Sequence, residues 1–221
     1  DGWVRAVTEQ AGRIQHMSNY YYCEKNALLA EALAKASGMR RAFFCNSGAE
    51  ANECAIKVAR RFGEKMGAHK IVTLKNSFHG RTITTLAANG QDAFHEYFPP
   101  LTEAFVYAEA NNAADPEQKL DGTVCAVLLE SVQGEGGVIP LDADYLRAVR
   151  ALCDARGVLL MLDEVQTGVG RTGYFFSYQG CGVQPDVVTA AKGLGGGPPL
   201  AACLVSLALE DIFTPGMDGS T

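Results

Sequence analysis

Three residues of this 221-residue chain combine reactive side chains with settings that could do chemistry: Glu130, Asp163 and Lys192. Each lies at or near the end of a short apolar stretch, VCAVLLE (124–130), VLLMLDEV (158–165) or DVVTAAK (186–192). Such stretches read as buried strands of a parallel sheet. Open parallel sheets bind ligands outside the carboxyl ends of their strands. Two carboxylates and an amine gathered there could move protons or hold a charged ligand. A lysine among small and apolar residues is also partly desolvated, which lowers its pKa and frees its amine as a nucleophile. The plainer reading of Lys192 is a strand-end lysine that reaches back to water.

Glycine-rich and polar segments surround these residues. In NSGAEANE (46–53), a small polar turn runs into a helix. The free backbone N–H groups of Gly48 and Ala49, with the Ser47 hydroxyl, suit a phosphate at the positive end of the helix dipole. A simple N-cap by Ser47 is the alternative, and the lysine of a P-loop is missing. LLESVQGEGG (128–137) leads a strand into a carboxylate-bearing loop. Taken alone, Glu130 and Glu135 could be a metal pair, an acid/base pair or solvated loop residues. LMLDEVQTGVGRTG (161–174) contains Gly168, Gly170 and Gly173 in GxGxxG spacing, with Asp186 further on. A dinucleotide site needs a helix opening at those glycines. YFFSYQG (174–180) follows them instead, which disfavours a nicotinamide-dependent dehydrogenase.

The elements that must position these groups alternate between helix and strand, the pattern of an α/β fold with a mostly parallel sheet. Residues 26–37 form a helix ended by Gly38. Residues 49–67 form the clearest helix, with Ala51, Cys54, Ala55, Val58, Ala59 and Phe62 on one buried face. Residues 142–157 form a helix capped by Asp142 and ended by Gly157. With its flanking strands it makes a β–α–β unit, expected to cross over right-handed.

Composition excludes several classes of function. A formal charge of −6 and no basic cluster argue against nucleic-acid binding. The longest aliphatic run, Val158 to Leu162, is too short for a membrane span. The first ten residues lack the order of a signal peptide. Seven scattered cysteines without CxxC spacing read as reduced thiols of a cytoplasmic protein, not as disulfides or a zinc site.

Taken in order, the segments FFCNSGAEANECAIKVAR, NSFHGRTITTLAA, LLESVQGEGGV, LDEVQTGVGRTG, AAKGLGGGPP and the terminal DGST resemble the class III aminotransferases, most closely the acetylornithine aminotransferase family. The likeness runs from about residue 18 to the end. It implies an α/β fold, the fold-type I large domain of pyridoxal-phosphate-dependent transferases, with a mostly parallel central sheet flanked by helices. Residues 1–17 would be an N-terminal connecting segment and 18–221 the cofactor-binding large domain. The cofactor implied is pyridoxal 5'-phosphate (PLP), carried by Lys192 as a Schiff base. The phosphate would meet Ser47, Gly48 and Ala49, with Thr221 reaching the phosphate of a neighbouring subunit. Phe78 would stack on the pyridine ring, Asp163 would face its nitrogen, and Gln166 would bond its phenolic oxygen. Glu164 and Val165 belong to the same stretch of cofactor-binding residues. Arg81 would grip the substrate carboxylate with its planar fork, and Ser220 would touch the substrate.

The resemblance also implies transfer of the terminal amino group of N2-acetylornithine to 2-oxoglutarate, a step of arginine biosynthesis, by a homodimer with shared active sites. Ornithine, succinylornithine, 4-aminobutyrate and putrescine are alternative donors; Gln166 and the FHGRT arginine favour a transferase over a glutamate-semialdehyde aminomutase. An aspartate about 4 Å from the ring nitrogen, at an effective dielectric near 20, contributes roughly 4 kcal/mol toward keeping it protonated. Departures from the family pattern are Ser131 where proline is usual, Asp218 where histidine is usual, and the PP of GGGPP. The C-terminal small domain, whose arginine pairs in the family with the residue matching Glu135, has no counterpart here. The chain is therefore expected to be a fragment of a longer protein, with a non-catalytic PLP-binding module as the alternative.

Overall fold

The computed structural model describes residues 1–18 and 21–217. Helix α1 (Gly2–Ala11) buries none of its residues, and the sequence reading had given this stretch no element of its own. Helix α2 (Glu24–Ser37) stops at Gly38, which takes the left-handed conformation. Strand β1 (Arg41–Cys45) leads into helix α3 (Gly48–Gly63). The long helix expected over 49–67 ends early. Its last turn tightens into a 3-10 turn, Glu64–Met66, before strand β2 (Lys70–Leu74). At that change the chain is closely packed and needs a glycine, since a Cβ on Gly63 would lie 2.2 Å from the Ala68 carbonyl oxygen.

Helix α4 (Ile83–Ala88), strand β3 (Phe105–Ala108), helix α5 (Ala114–Lys119) and strand β4 (Val124–Leu129) follow. A two-residue pair, β5 (Val132–Gln133) and β6 (Ile139–Pro140), folds the next loop back on itself. Helix α6 (Ala143–Arg156) comes next, then strand β7 (Leu159–Asp163), helix α7 (Tyr178–Cys181), strand β8 (Val187–Ala190) and strand β9 (Ala201–Val205). Gly157 ends α6 in the left-handed conformation as expected, but the Asp142 side chain makes no capping bond. Its backbone N–H is instead held by Asn111 Oδ1 at 2.8 Å.

Seven strands form one sheet in the order β1-β9-β8-β7-β4-β2-β3. Six of them run in one direction, and β9, antiparallel to its neighbours β1 and β8, is the reversed strand. Helices cover both faces, and side chains that alternate along each strand feed two separate cores. On β7, Leu160 and Leu162 join the core that includes Leu146 and Val149 of α6. Leu159 and Met161 join the other, with Ile56 and Val58 of α3. Burying one such leucine contributes about 1.5–3 kcal/mol. Continuous burial on both faces explains why these strands read as unbroken apolar runs. Among the described residues, no helix is long and apolar enough to cross a membrane.

Asp186, the acid that followed the GxGxxG spacing, sits at the other end of the sheet. It pairs with Arg150 of α6 at 2.7 Å and accepts the Leu160 N–H, tying helix to strand. Gly168, Gly170 and Gly173 lie in a succession of turns and open no helix.

Candidate active site

The three charged residues emerge where their strands stop. Glu130 follows β4, Asp163 ends β7, and Lys192 opens a 3-10 turn two residues beyond β8. All three line one cavity of about 450 Å³, within the range of small-molecule sites. Ser47, Gly48, Ala49, Phe78, Arg81, Val165 and Gln166 line it as well.

On one side is the start of α3. Ser47 occupies the N-cap and accepts the Glu50 N–H at 3.2 Å, while Glu50 Oε2 accepts the Asn46 N–H at 2.6 Å. The expected N-cap is thus present, and it leaves the N–H groups of Gly48 and Ala49 without intrahelical partners. Gly48 has no room for a side chain, since a Cβ there would lie 2.7 Å from Val165 Cγ1. Its backbone can therefore come close to a ligand.

On the other side, Lys192 is exposed and its Nζ donates to Gln166 Oε1. Expected desolvation by small neighbours does not occur, because glycines and alanines are too short to shield the ammonium. Lys192 also takes φ of +37°, unusual for a residue with a side chain. Gln166 reaches it across Gly134, where a Cβ would lie 2.0 Å from Gln166 Nε2. That contact gives the glycine of the QGEGG loop a steric reason.

The floor is buried and fully tied. Asp163 is 5% exposed. Its Oδ1 accepts the Val165 N–H at 3.0 Å, and its Oδ2 lies 2.8 Å from Asn52 Nδ2 and 2.9 Å from His79 Nδ1. Glu130 accepts the N–H groups of Phe78 at 2.9 Å and Gly134 at 3.3 Å. Burial pushes its carboxyl up to about 7, and the Asp163 charge acts in the same direction. Asn52 and His79 had no assigned role in the sequence reading. The available signal was Asn52 itself, a polar residue sharing a buried helix face with Ile56 and Ala59.

At the lip, the Arg81 guanidinium lies 5.6 Å from the Phe78 ring centroid and 5.2 Å from that of Phe94. Among the described residues it has no carboxylate partner in the ion pairs, and it remains exposed. Phe78 and Phe94 meet edge to face at 5.6 Å.

Two expected site residues are not brought into the cavity. Glu164 is 1% exposed and points the other way. It accepts Thr167 Oγ1 at 2.6 Å and the N–H groups of Ser177 and Tyr178 at 3.1 Å. Burial raises its pKa, and Ser131, in place of the usual proline, sets a hydroxyl 3.5 Å from it. Glu135 is exposed and held by Gln91 Nε2, outside the cavity lining. Ser220 and Thr221 lie outside the described residues.

A lysine and an aspartate at strand ends, facing a helix start across a sheet with one reversed strand, define a class of α/β enzymes. Solved structures of the same arrangement are those of aminotransferases. The ornithine aminotransferase of Toxoplasma gondii superposes with a TM-score of 0.94 at 31% identity, over 99% of this chain and 54% of that one. N-acetylornithine aminotransferase of Stenotrophomonas maltophilia gives 0.82 at 40% identity, over 96% and 54%. In sequence, the acetylornithine aminotransferase of Wolinella succinogenes is 52% identical over 98% of this chain and 55% of its own length. The family profile "Aminotransferase class-III" matches residues 3–221. The chain belongs to the class-III aminotransferases, a PLP-dependent family. It spans about half the length of the curated relatives it matches.

Proposed function

We propose that this chain is the PLP-binding large domain, over 18–221 with 1–17 as a connecting segment, of an aminotransferase. Its reaction moves the terminal amino group of N2-acetylornithine, or a related ω-amino donor, to 2-oxoglutarate. One observation carries the reading: Lys192, Asp163 and the unpartnered N–H groups of α3 converge on a single cavity.

The residues present fit the cofactor. Gly48 offers a backbone that a ligand can approach, the helix start supplies N–H donors for a phosphate, and Asp163 is a buried anion lining the same cavity. When bound, PLP supplies an electron sink that can carry an amino group between two substrates. Ser47, Gly48 and Ala49 would hold its phosphate, and Phe78 and Val165 would flank its ring. Asp163 would stabilise a protonated ring nitrogen. Gln166 positions the Lys192 amine, which is the group placed to accept and return a proton at the donor's reacting carbon. Arg81, which has no carboxylate partner among the described residues, would take the substrate carboxylate. Glu164 contributes only through the backbone beside Asp163, since its carboxylate is committed to the turn at 177–178.

Support for the donor is the 52% identity to an acetylornithine aminotransferase. Two further parts of the proposal are a cytoplasmic location, supported by seven free thiols, and a homodimer with shared sites, supported by exposed Tyr22, Tyr97 and Phe98. A panel of amino donors with 2-oxoglutarate and PLP tests the substrate. N2-acetylornithine should give the highest kcat/KM, and a panel led by 4-aminobutyrate would refute the choice. PLP binding without turnover of any donor would favour the non-catalytic module.

A further inference from the structure

Asp163 is held by two side chains that serve no other evident purpose. Asn52 lies in the middle of α3 and His79 in the loop after β2. The Asn52 amide is oriented without ambiguity. Its Nδ2 faces the His79 carbonyl at 2.7 Å and Asp163 Oδ2 at 2.8 Å, both pure acceptors, and its Oδ1 accepts the Thr189 hydroxyl at 2.8 Å. The backbone of His79 is equally fixed, its N–H donating to Asn89 Oδ1 at 2.6 Å while Asn89 Nδ2 donates to the Gly80 carbonyl. The imidazole is fully buried. Its Nδ1 meets Asp163 Oδ2 at 2.9 Å, and its Nε2 has no partner among the described residues.

Chemistry at the two ring nitrogens then differs. An ionised Asp163 carboxylate carries no proton and is acceptor-only, so the shared proton sits on Nδ1. A second proton on Nε2 would create a buried cationic donor with no acceptor, far more costly than an unused lone pair. An imidazolium would also cancel the charge of Asp163, the group that must attract a protonated ring nitrogen.

We propose that His79 is a positioning residue that acts through Asp163: it donates from Nδ1, carries no proton on Nε2, and so orients the carboxylate while leaving its full negative charge. This inference rests on the proposed cofactor reading, in which Asp163 faces the ring nitrogen. Its chemistry predicts which substitution rescues. Asparagine places an amide N–H close to where Nδ1 sits, whereas phenylalanine fills the space and donates nothing.

The test uses the full chain with PLP and three variants at neutral pH. Nitrogen-15 NMR of labelled histidine, with the His79 signals identified by their loss in His79→Asn, should show one protonated nitrogen, Nδ1, and an unprotonated Nε2. PLP affinity, followed by absorbance and equilibrium dialysis, should fall about tenfold or more in His79→Phe and be largely recovered in His79→Asn. Thermal melts without PLP separate misfolding from lost positioning, and Asn89→Ala serves as a variant that loosens the same loop without touching the imidazole. An imidazolium signal, or equal loss of affinity in His79→Asn and His79→Phe when both fold, would overturn the inference. Absence of PLP binding by the unmodified chain would instead overturn the cofactor reading, with the ring pattern still readable by NMR.

Discussion

The floor and the rim of the cavity are built on opposite principles. On the floor, Asp163 and Glu130 are each 5% exposed and every carboxylate oxygen has a donor from this chain. At the rim, Lys192, Gln166 and Arg81 are exposed. Buried polar groups persist only when hydrogen-bonded, so the floor is fixed by the same packing that holds the sheet together. Rim residues have no such constraint, and a ligand or further chain can reorganise them. The buried, charged floor is therefore preassembled, and the exposed rim is not.

Four substitutions test that division, from the largest expected effect to the smallest. Asp163→Ala should lower turnover by about 10³, the scale of removing a preorganised electrostatic group, while PLP affinity falls less. Equal losses in single-turnover rate and in affinity would break the distinction. Leu162→Ala, next to Asp163 on β7 and fully buried in the core, should cost about 2–5 kcal/mol in urea unfolding; a cost under about 1 kcal/mol would mean the floor does not depend on the core.

Glu130 tests the floor through pH. Its folded carboxyl is raised to about 7 by burial, well above the ordinary carboxylate range. The folded chain therefore holds this proton more tightly than the unfolded chain does. Its stabilising contribution is complete below the unfolded value and is lost as pH rises through about 7. Unfolding midpoints at pH 5 and pH 8 should show the unmodified chain losing roughly 3 kcal/mol relative to Glu130→Gln, and parallel curves would refute it. Arg81→Ala at the rim should change stability by under about 1 kcal/mol. The same substitution should raise donor KM about tenfold, since a bidentate grip is lost. A large loss of stability there would erase the contrast between rim and floor.

Legibility in the sequence followed the same divide. Glu130, Asp163 and Lys192 were readable because a charged residue at the end of an apolar strand has few other reasons to be there. The free N–H of Gly48 at a helix start is readable in NSGAEANE, but the steric need for glycine at 48 and 134 is not, because it is set by Val165 and Gln166 from distant segments. Asn52 was hidden inside a helix whose apolar periodicity is satisfied without it, and its partners are 27 to 137 residues away. The exposure of Lys192 matches the plainer of its two readings, a strand-end lysine that reaches water, because its small neighbours cannot cover the ammonium. Glu164 adjoins Asp163, but alternation along the strand turns its side chain to the other side of the sheet end. Dense hydrogen bonding across distant segments is a property of the folded chain, and no local pattern encodes it.

The central claim is that Lys192 carries PLP in this cavity. The direct measurement is the absorbance spectrum of the purified chain with PLP, before and after borohydride, beside Lys192→Ala. The account predicts a band near the visible edge that borohydride converts to a permanent adduct, located on Lys192 by peptide mass spectrometry and missing in the variant. A band that survives unchanged in Lys192→Ala, or an adduct on another lysine, would contradict it.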